Sequence, residues 1–391
     1  MRFVAAHTTI PVPKVYHYGS AAENPTGMGP FIIMDYVDHA RTLFEAMKDP
    51  IREAGKSEPL DPNISNDRLS FLYRQMANIT AQLSTLEFPK IGSLVEDEDG
   101  SISVRGRPLI QNMNEMVNHA KVPTSLLPSG TYSTADDCYS ALADMHFTQL
   151  VFQHNDAVDD EDDARDKYVA RQLFRKLAAE GRLSKGLDHG GKHDDAGSDP
   201  GEASFRLFSE DLTPSNVLVD KGGRVVAVID WGWAYMAPSQ FAFDPPWWLL
   251  LEAPDRWDEG VRQWLEDYGP RLEVFLHVLE EEEEKLAAGG AGAEKTLAQR
   301  MRRRWGTKSW MINWVSRKSW SFDFFFWRYL DPAFFGPNEE ADHKARLELL
   351  TPSQLEAMEP FVEQNMEEAK DRVLVDWQDE KAAEHLAKVL V

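Results

Sequence analysis

The chain has a single cysteine, Cys138, in 391 residues. One thiol can neither close an intrachain disulfide nor assemble a cysteine-based metal site, so a reducing compartment is expected. The stretch Ala135-Asp136-Asp137-Cys138-Tyr139-Ser140 offers no histidine to activate it, and Cys138 reads as an ordinary packed or half-exposed thiol. Long apolar runs are also missing: none reaches the roughly eighteen residues that a membrane span requires. Met1-Arg2-Phe3-Val4-Ala5-Ala6-His7 lacks the sustained apolar stretch of a leader. Basic charge is scarce, with 42 Lys and Arg against 65 Asp and Glu, a net charge of -23. Broad nucleic-acid contact needs clustered cations that displace counterions, and this balance excludes it. These absences predict a cytoplasmic protein with neither a membrane nor a nucleic-acid partner; nothing in the sequence bears on oligomeric state.

What is present is a globular composition, 42% hydrophobic, in a chain long enough to bury a large core. Met1–Ala6 reads as the last turns of a helix, stopped by Ile10-Pro11-Val12-Pro13, because proline bars helical geometry at and before itself. Val15–Tyr18 and Pro30–Val37 are strands around a Gly/Asn/Pro-bearing turn, the second of them buried. From Asn66 onward Leu69, Leu72, Tyr73, Met76, Ile79, Leu83 and Leu86 recur at helical spacing. Residues 133–153 and 165–181 carry similar patterns, and the region near 181–204 is a Gly/Asp/His/Lys-rich surface loop. Strand-like sequence returns only at Phe205–Phe208, Asn216–Asp220 and Arg224–Asp230. Beyond about residue 255 the chain is helical and rich in Trp and Phe. There Glu280-Glu281-Glu282-Glu283-Glu284 is expected on a solvated helix face before a flexible Gly-Gly-Ala-Gly turn.

The segment with chemical content runs from Ser209 through Asp211, Asn216 and Gly222-Gly223 to Asp230-Trp231-Gly232. Two apolar strands flank a Gly-Gly turn, which predicts a hairpin. A two-residue turn would set Asn216 opposite Ile229 and make Asn216 and Asp230 neighbours at its open end, with Asp211 on the loop just before. An amide oxygen and a carboxylate there can hold Mg²⁺, a hard ion that prefers oxygen ligands. A second carboxylate can orient an acceptor hydroxyl and take its proton, the arrangement that phosphoryl transfer uses.

The spacing Asp211-x-x-x-x-Asn216 resembles the catalytic loop of protein kinases and aminoglycoside phosphotransferases, and Val228-Ile229-Asp230-Trp231 looks like the latter family's metal-binding segment. Ile10–Val15 and the hinge-like Gly29–Val37 extend the resemblance, as do Gln82–Leu94 and the Trp-rich tail, which look like a fungal-type branch of the aminoglycoside/choline-kinase group. The resemblance implies an α+β, protein-kinase-like fold, with a remnant N-lobe and hinge at 1–37 and a largely helical C-lobe at 38–391 that carries the catalytic hairpin, 205–232. It implies Asp211 as catalytic base, Asn216 and Asp230 as Mg²⁺ ligands, and Met34, Asp35, Tyr36 and Val37 as the backbone that meets the adenine of ATP. Asp244 would brace the catalytic loop. The partner implied is a small-molecule hydroxyl acceptor. Ser209 stands where the family usually has His. The Gly-rich phosphate loop, the ATP lysine and its helix glutamate are not found, and Met1 begins at about the end of that helix, so the resemblance implies a chain lacking the start of its ATP lobe. Three readings stay open: a phosphotransferase, a pseudokinase-like binding protein, and an acid–base hydrolase using Asp211 and Asp230, in which Asn216 would have no task.

The remaining features have plain readings. The eleven histidines form no metal-ligand pair in helical register; His189 and His193 have the interval but sit in a glycine-rich loop. Asp159–Asp163 marks a helix start. Trp231, Trp233, Trp247, Trp248 and the cluster from Trp305 to Trp327 read as core.

Overall fold

The computed structural model describes residues 1–51, 59–187, 204–287 and 295–391. Most of the loop expected near 181–204, His189 and His193 within it, and the turn Gly289-Gly290-Ala291-Gly292 fall outside these. Within the described part of that loop, Arg182–Lys185 is a short helix. The chain is mixed α+β, with small antiparallel strand pairs among helices. It forms two compact units, each discontinuous in sequence: Met1–Glu87, Arg206–Ala234 and Pro245–Arg303 make the first, and Phe88–Phe205, Tyr235–Asp244 and Arg304–Val391 the second. No helix among the described residues is long and apolar enough to cross a membrane.

In the first unit, the helix Arg2–His7 ends at Thr8, and the proline-bearing segment behind it runs extended. That segment is tied on both sides. Gln82 Oε1 accepts from the Thr9 amide and hydroxyl at 2.8 and 3.0 Å, and the Val228 amide donates to Pro11 O at 2.8 Å. The periodic apolar residues build the helix Asn66–Ser84, capped by Ser65, whose hydroxyl accepts from the Arg68 amide. Leu69, Leu72, Tyr73, Met76, Ile79 and Leu83 are all buried against the long helix Val261–Ala287. Tyr73 meets Trp248 and Phe275 edge-on, at 6.2 and 5.9 Å between ring centres, and its hydroxyl donates to Leu249 O.

Two expectations fail here. The glutamate run is not wholly solvated: Glu282 is only 6% exposed, accepts from Asn78 at 2.9 Å and pairs with Arg74 and Lys285. Helical spacing puts residue 282 on the same face as Phe275 and Leu279, so the sign of its charge did not decide its side. Glu283, in turn, accepts from the Leu297 and Ala298 amides and so caps the helix Leu297–Thr307. The second failure is the strand Phe31–Met34, read as buried. It pairs antiparallel with Val15–Gly19, Tyr18 opposite Ile32, yet Ile32 is 57% and Ile33 52% exposed. Among the described residues this pair has no further strand. An apolar run is buried only where another element covers it.

The second unit is organised on the helices Ala135–Phe152 and Glu161–Ala179, with Phe147 edge-on to Tyr168 at 5.5 Å. The acidic stretch opens the second of these helices, where the Asp160 side chain accepts from the Asp163 amide. Cys138 is buried. Trp310, Trp314, Phe322, Phe325 and Phe326 are core as expected, whereas Phe324 is 56% exposed. A hairpin that the sequence reading missed pairs Ser93–Glu96 with Ile102–Gly106. Its signal was Asp99-Gly100: Gly100 takes φ +80°, and the Asp99 carboxylate accepts from the Ser101 amide at 2.9 Å.

Candidate active site

The site is built at the open end of the central hairpin of the first unit. Val217–Val219 pairs with Val225–Val228, and Arg41–Thr42 adds a third strand against Val219 and Leu218. The turn is one residue longer than the two-glycine turn expected. Asp220 N donates to Arg224 O, which leaves Lys221, Gly222 and Gly223 as the loop, with Gly223 at φ +86°. A side chain on Gly223 would be strained in that conformation and would also strike Arg68, 2.8 Å away. Asp220 Oδ1 accepts from the Gly222 and Arg224 amides, and these bonds, Arg224 first, hold its carboxyl below the usual range. A bulge between Leu218 and Val219 absorbs the extra residue. Val217 therefore still faces Val228, and the Ile229 amide donates to Asn216 O at 2.9 Å. The expected register at the open end holds.

From Ser209 to Asn216 the chain is wound tightly. The Thr213 amide donates to Asp211 O at 2.8 Å, and Pro214 opens a single turn that closes with Asn216 N on Thr213 O at 3.0 Å. The buried residues Leu43 and Met47 of the short helix Leu43–Met47 back this turn. Asn216 Nδ2 then donates twice to Asp211, at 2.9 Å to its carbonyl and 2.9 Å to its carboxylate Oδ2. Both amide hydrogens are used, which leaves Oδ1 as an acceptor. Sequence reasoning had assigned Asn216 only a metal-binding task and missed that it orients Asp211. No spacing rule reveals that; the turn at Pro214 creates it.

Asp230, next after Ile229, is exposed and left-handed, at φ +54°. Aspartate visits that region more readily than most residues, but at a cost. The chain beyond it folds back at once. The Trp231 indole donates to Val228 O at 3.1 Å, and Glu210 N donates to Trp233 O at 3.2 Å. The residues after Asp230 are thus sewn to the residue before Asp211. Glu210 is 7% exposed, whereas Asp211 and Asn216 are half-buried.

Met34, Asp35, Tyr36 and Val37 form no hydrogen bond to Asp211, Asn216 or Asp230 among the described residues. Asp35 N donates to Lys14 O at 3.0 Å, and its carboxylate accepts from the Tyr16 hydroxyl. That bond and the charge of Asp35 push the Tyr16 hydroxyl above its ordinary pKa. Val37 O pairs with the His39 ring at 2.9 Å. The amides of Tyr36 and Val37 donate to no group among the described residues, and Tyr36 is 82% exposed. Three residues on, Ala40 N donates to Val219 O at 2.8 Å, so this segment leads directly onto the hairpin. Asp244 lies in the second unit, where Arg304 Nε and Asn313 Nδ2 donate to it. Burial pushes its carboxyl up against the opposing pull of Arg304.

The family model described as phosphotransferase enzyme family matches residues 1–275. No curated protein matches the chain. Among solved structures, a thermostable mutant of aminoglycoside phosphotransferase APH(4)-Ia, in ternary complex with AMP-PNP and hygromycin B, is 17% identical with a TM-score of 0.34, over 80% of this chain and 81% of that one. A Ralstonia eutropha protein assigned to the aminoglycoside phosphotransferases is 12% identical with a TM-score of 0.28, over 81% of this chain and 80% of that one.

Proposed function

The chain belongs to the phosphotransferase enzyme family, and from that premise we propose that it transfers phosphate from ATP, with Mg²⁺, to a hydroxyl group of a small molecule. The observation that carries this reading is the double hydrogen bond from Asn216 to Asp211. In this reading Asp211 receives the acceptor hydroxyl and takes up its proton as the new oxygen–phosphorus bond forms and the bond from the γ-phosphorus to the departing ADP breaks. Asn216 holds the Asp211 carboxylate in one orientation, so little is lost in arranging it at the moment of reaction.

The residues present fit a magnesium ion. Asn216 Oδ1 and the Asp230 carboxylate are hard oxygen donors, at a residue and at the neighbour of its strand partner. Bound there, the ion would supply neutralisation of phosphate charge. The free amides of Tyr36 and Val37 suit the edge of an adenine ring. Tyr16, by holding Asp35, keeps that segment extended.

The test is a coupled assay of ATP consumption by the purified chain against a panel of polyols, amino alcohols and aminoglycosides, with and without Mg²⁺. Mg²⁺-dependent transfer to one acceptor, lost in Asp211→Asn, supports the proposal. Mg²⁺-dependent ATP binding with no transfer to any acceptor would replace it with a non-catalytic nucleotide-binding role.

A further inference from the structure

Val15–Gly19 and Phe31–Met34, in the first unit, form a sheet of only two strands, with both outer edges open among the described residues. Neither face is covered by described residues either. Tyr18 and Ile32 stand opposite one another on one face and are 48% and 57% exposed; on the other, Ile33 stands opposite His17 and is 52% exposed. A lone pair of strands is marginal in water, and stable sheets add a third strand or a covering element.

The two edges differ. Val15–Gly19 is screened by charge: Lys14 Nζ lies over the Tyr16 ring at 5.0 Å, the Arg2 guanidinium lies over the Tyr18 ring at 5.5 Å, and His17 stands in mid-strand. Charges of that kind keep an edge from pairing. Phe31-Ile32-Ile33-Met34 carries none, and no proline interrupts it. The adjoining carboxylate, Asp35, is already engaged by the Tyr16 hydroxyl.

An uncharged apolar edge of four residues fits a copy of itself. A twofold axis between Ile32 and Ile33 sets Ile32 against Ile33 of the second copy and Phe31 against Met34 of the second copy. Apolar residues then meet across the joint on both faces, and no like charges are opposed. The apolar surface on offer is of the right order. The exposed parts of Tyr16, Tyr18, Ile32, Ile33, Met34 and Tyr36 total roughly 700 Å², against about 800 Å² per partner in a standard interface.

We propose that the chain forms a twofold dimer through Phe31–Met34, whose antiparallel pairing joins the two strand pairs into one four-stranded sheet. The pairing needs no nucleotide and stands apart from the phosphotransferase reading.

Sedimentation velocity across a dilution series tests it. The parent chain should pass from one chain to two with a dissociation constant in about the micromolar range or below. Ile32→Lys and Ile33→Glu, each at an exposed position, should weaken association about tenfold or more. Mixed, the two variants should associate with each other more tightly than either does with itself, because the two positions face across the joint. Phe324→Lys, which removes a similarly exposed ring elsewhere, should change nothing. Hydrogen exchange on the parent chain needs no variant: the amides of residues 31–34 should exchange more slowly as concentration rises. A chain that stays monomeric at about 100 μM overturns the proposal. So does a dimer indifferent to both strand variants, or one whose 31–34 amides exchange at the same rate at every concentration.

Discussion

Asn216 holds Asp211 by two hydrogen bonds from one nitrogen, one to the main chain and one to the carboxylate. The first fixes the loop and the second fixes the carboxylate. A substitution that removes Nδ2 loses both, and activity and stability report them separately.

Asn216→Asp keeps an oxygen ligand but replaces the donor with a repelling carboxylate. Transfer activity is expected to fall by about a hundredfold or more, since misplacing a catalytic group costs that much. Asn216→Ala should also lower unfolding free energy by about 1 kcal/mol through the lost main-chain bond. Steady-state kinetics and urea denaturation read the two losses independently, and unchanged activity in Asn216→Asp would refute the orienting role.

Asp230 sits at φ +54°. Asp230→Gly relieves that conformation, while Asp230→Ala keeps the strain and loses the carboxylate. The glycine variant is expected to be about 1 kcal/mol more stable than the alanine variant. Under the proposed function ATP with Mg²⁺ should raise the melting temperature of the parent chain, and both variants should lose that rise, since it requires the site in the folded state. A glycine variant no more stable than the alanine one would show that the backbone there is unstrained.

His385 gives a pH dependence. Its folded pKa, about 4, lies below the ordinary 6.5, because burial and then the Lys388 and His154 charges disfavour the imidazolium. Between these values the unfolded chain binds the proton and the folded chain does not. Stability from this group is therefore complete above about pH 6.5 and is lost as pH falls toward 4. His385→Leu should flatten the stability curve across that window and leave it unchanged above it. Denaturant midpoints measured at half-unit pH steps decide the matter; a curve of unchanged slope would assign the loss to other groups.

Cys138 is buried, which pushes its thiol up to about 12. With so little thiolate it is expected to resist alkylation by iodoacetamide in the folded chain and to react only on unfolding. Mass spectrometry across a urea series reads this, and labelling well before the unfolding transition would contradict the burial.

Where the sequence read correctly, the deciding forces were local. The apolar spacing of Leu69, Leu72, Tyr73, Met76 and Ile79 places one helix face inward, and all five are buried. The two strands of the hairpin announced themselves through Val217–Val219 and Val225–Val228, which pair as expected. The Asp99-Gly100 hairpin was equally local and was overlooked among acidic residues.

The sequence by itself determined the helix at Asn66–Ser84 and the two strands of the central hairpin, because hydrogen-bond periodicity and turn residues act over a few positions. Tertiary structure alone decided the rest. It buried Glu282 by giving it Asn78 and Arg74 from a helix some 200 residues away in sequence, and it left Phe31–Met34 uncovered despite its apolar character. Each of these outcomes turns on which surface meets which, and burial is a property of the contact, not of the residue.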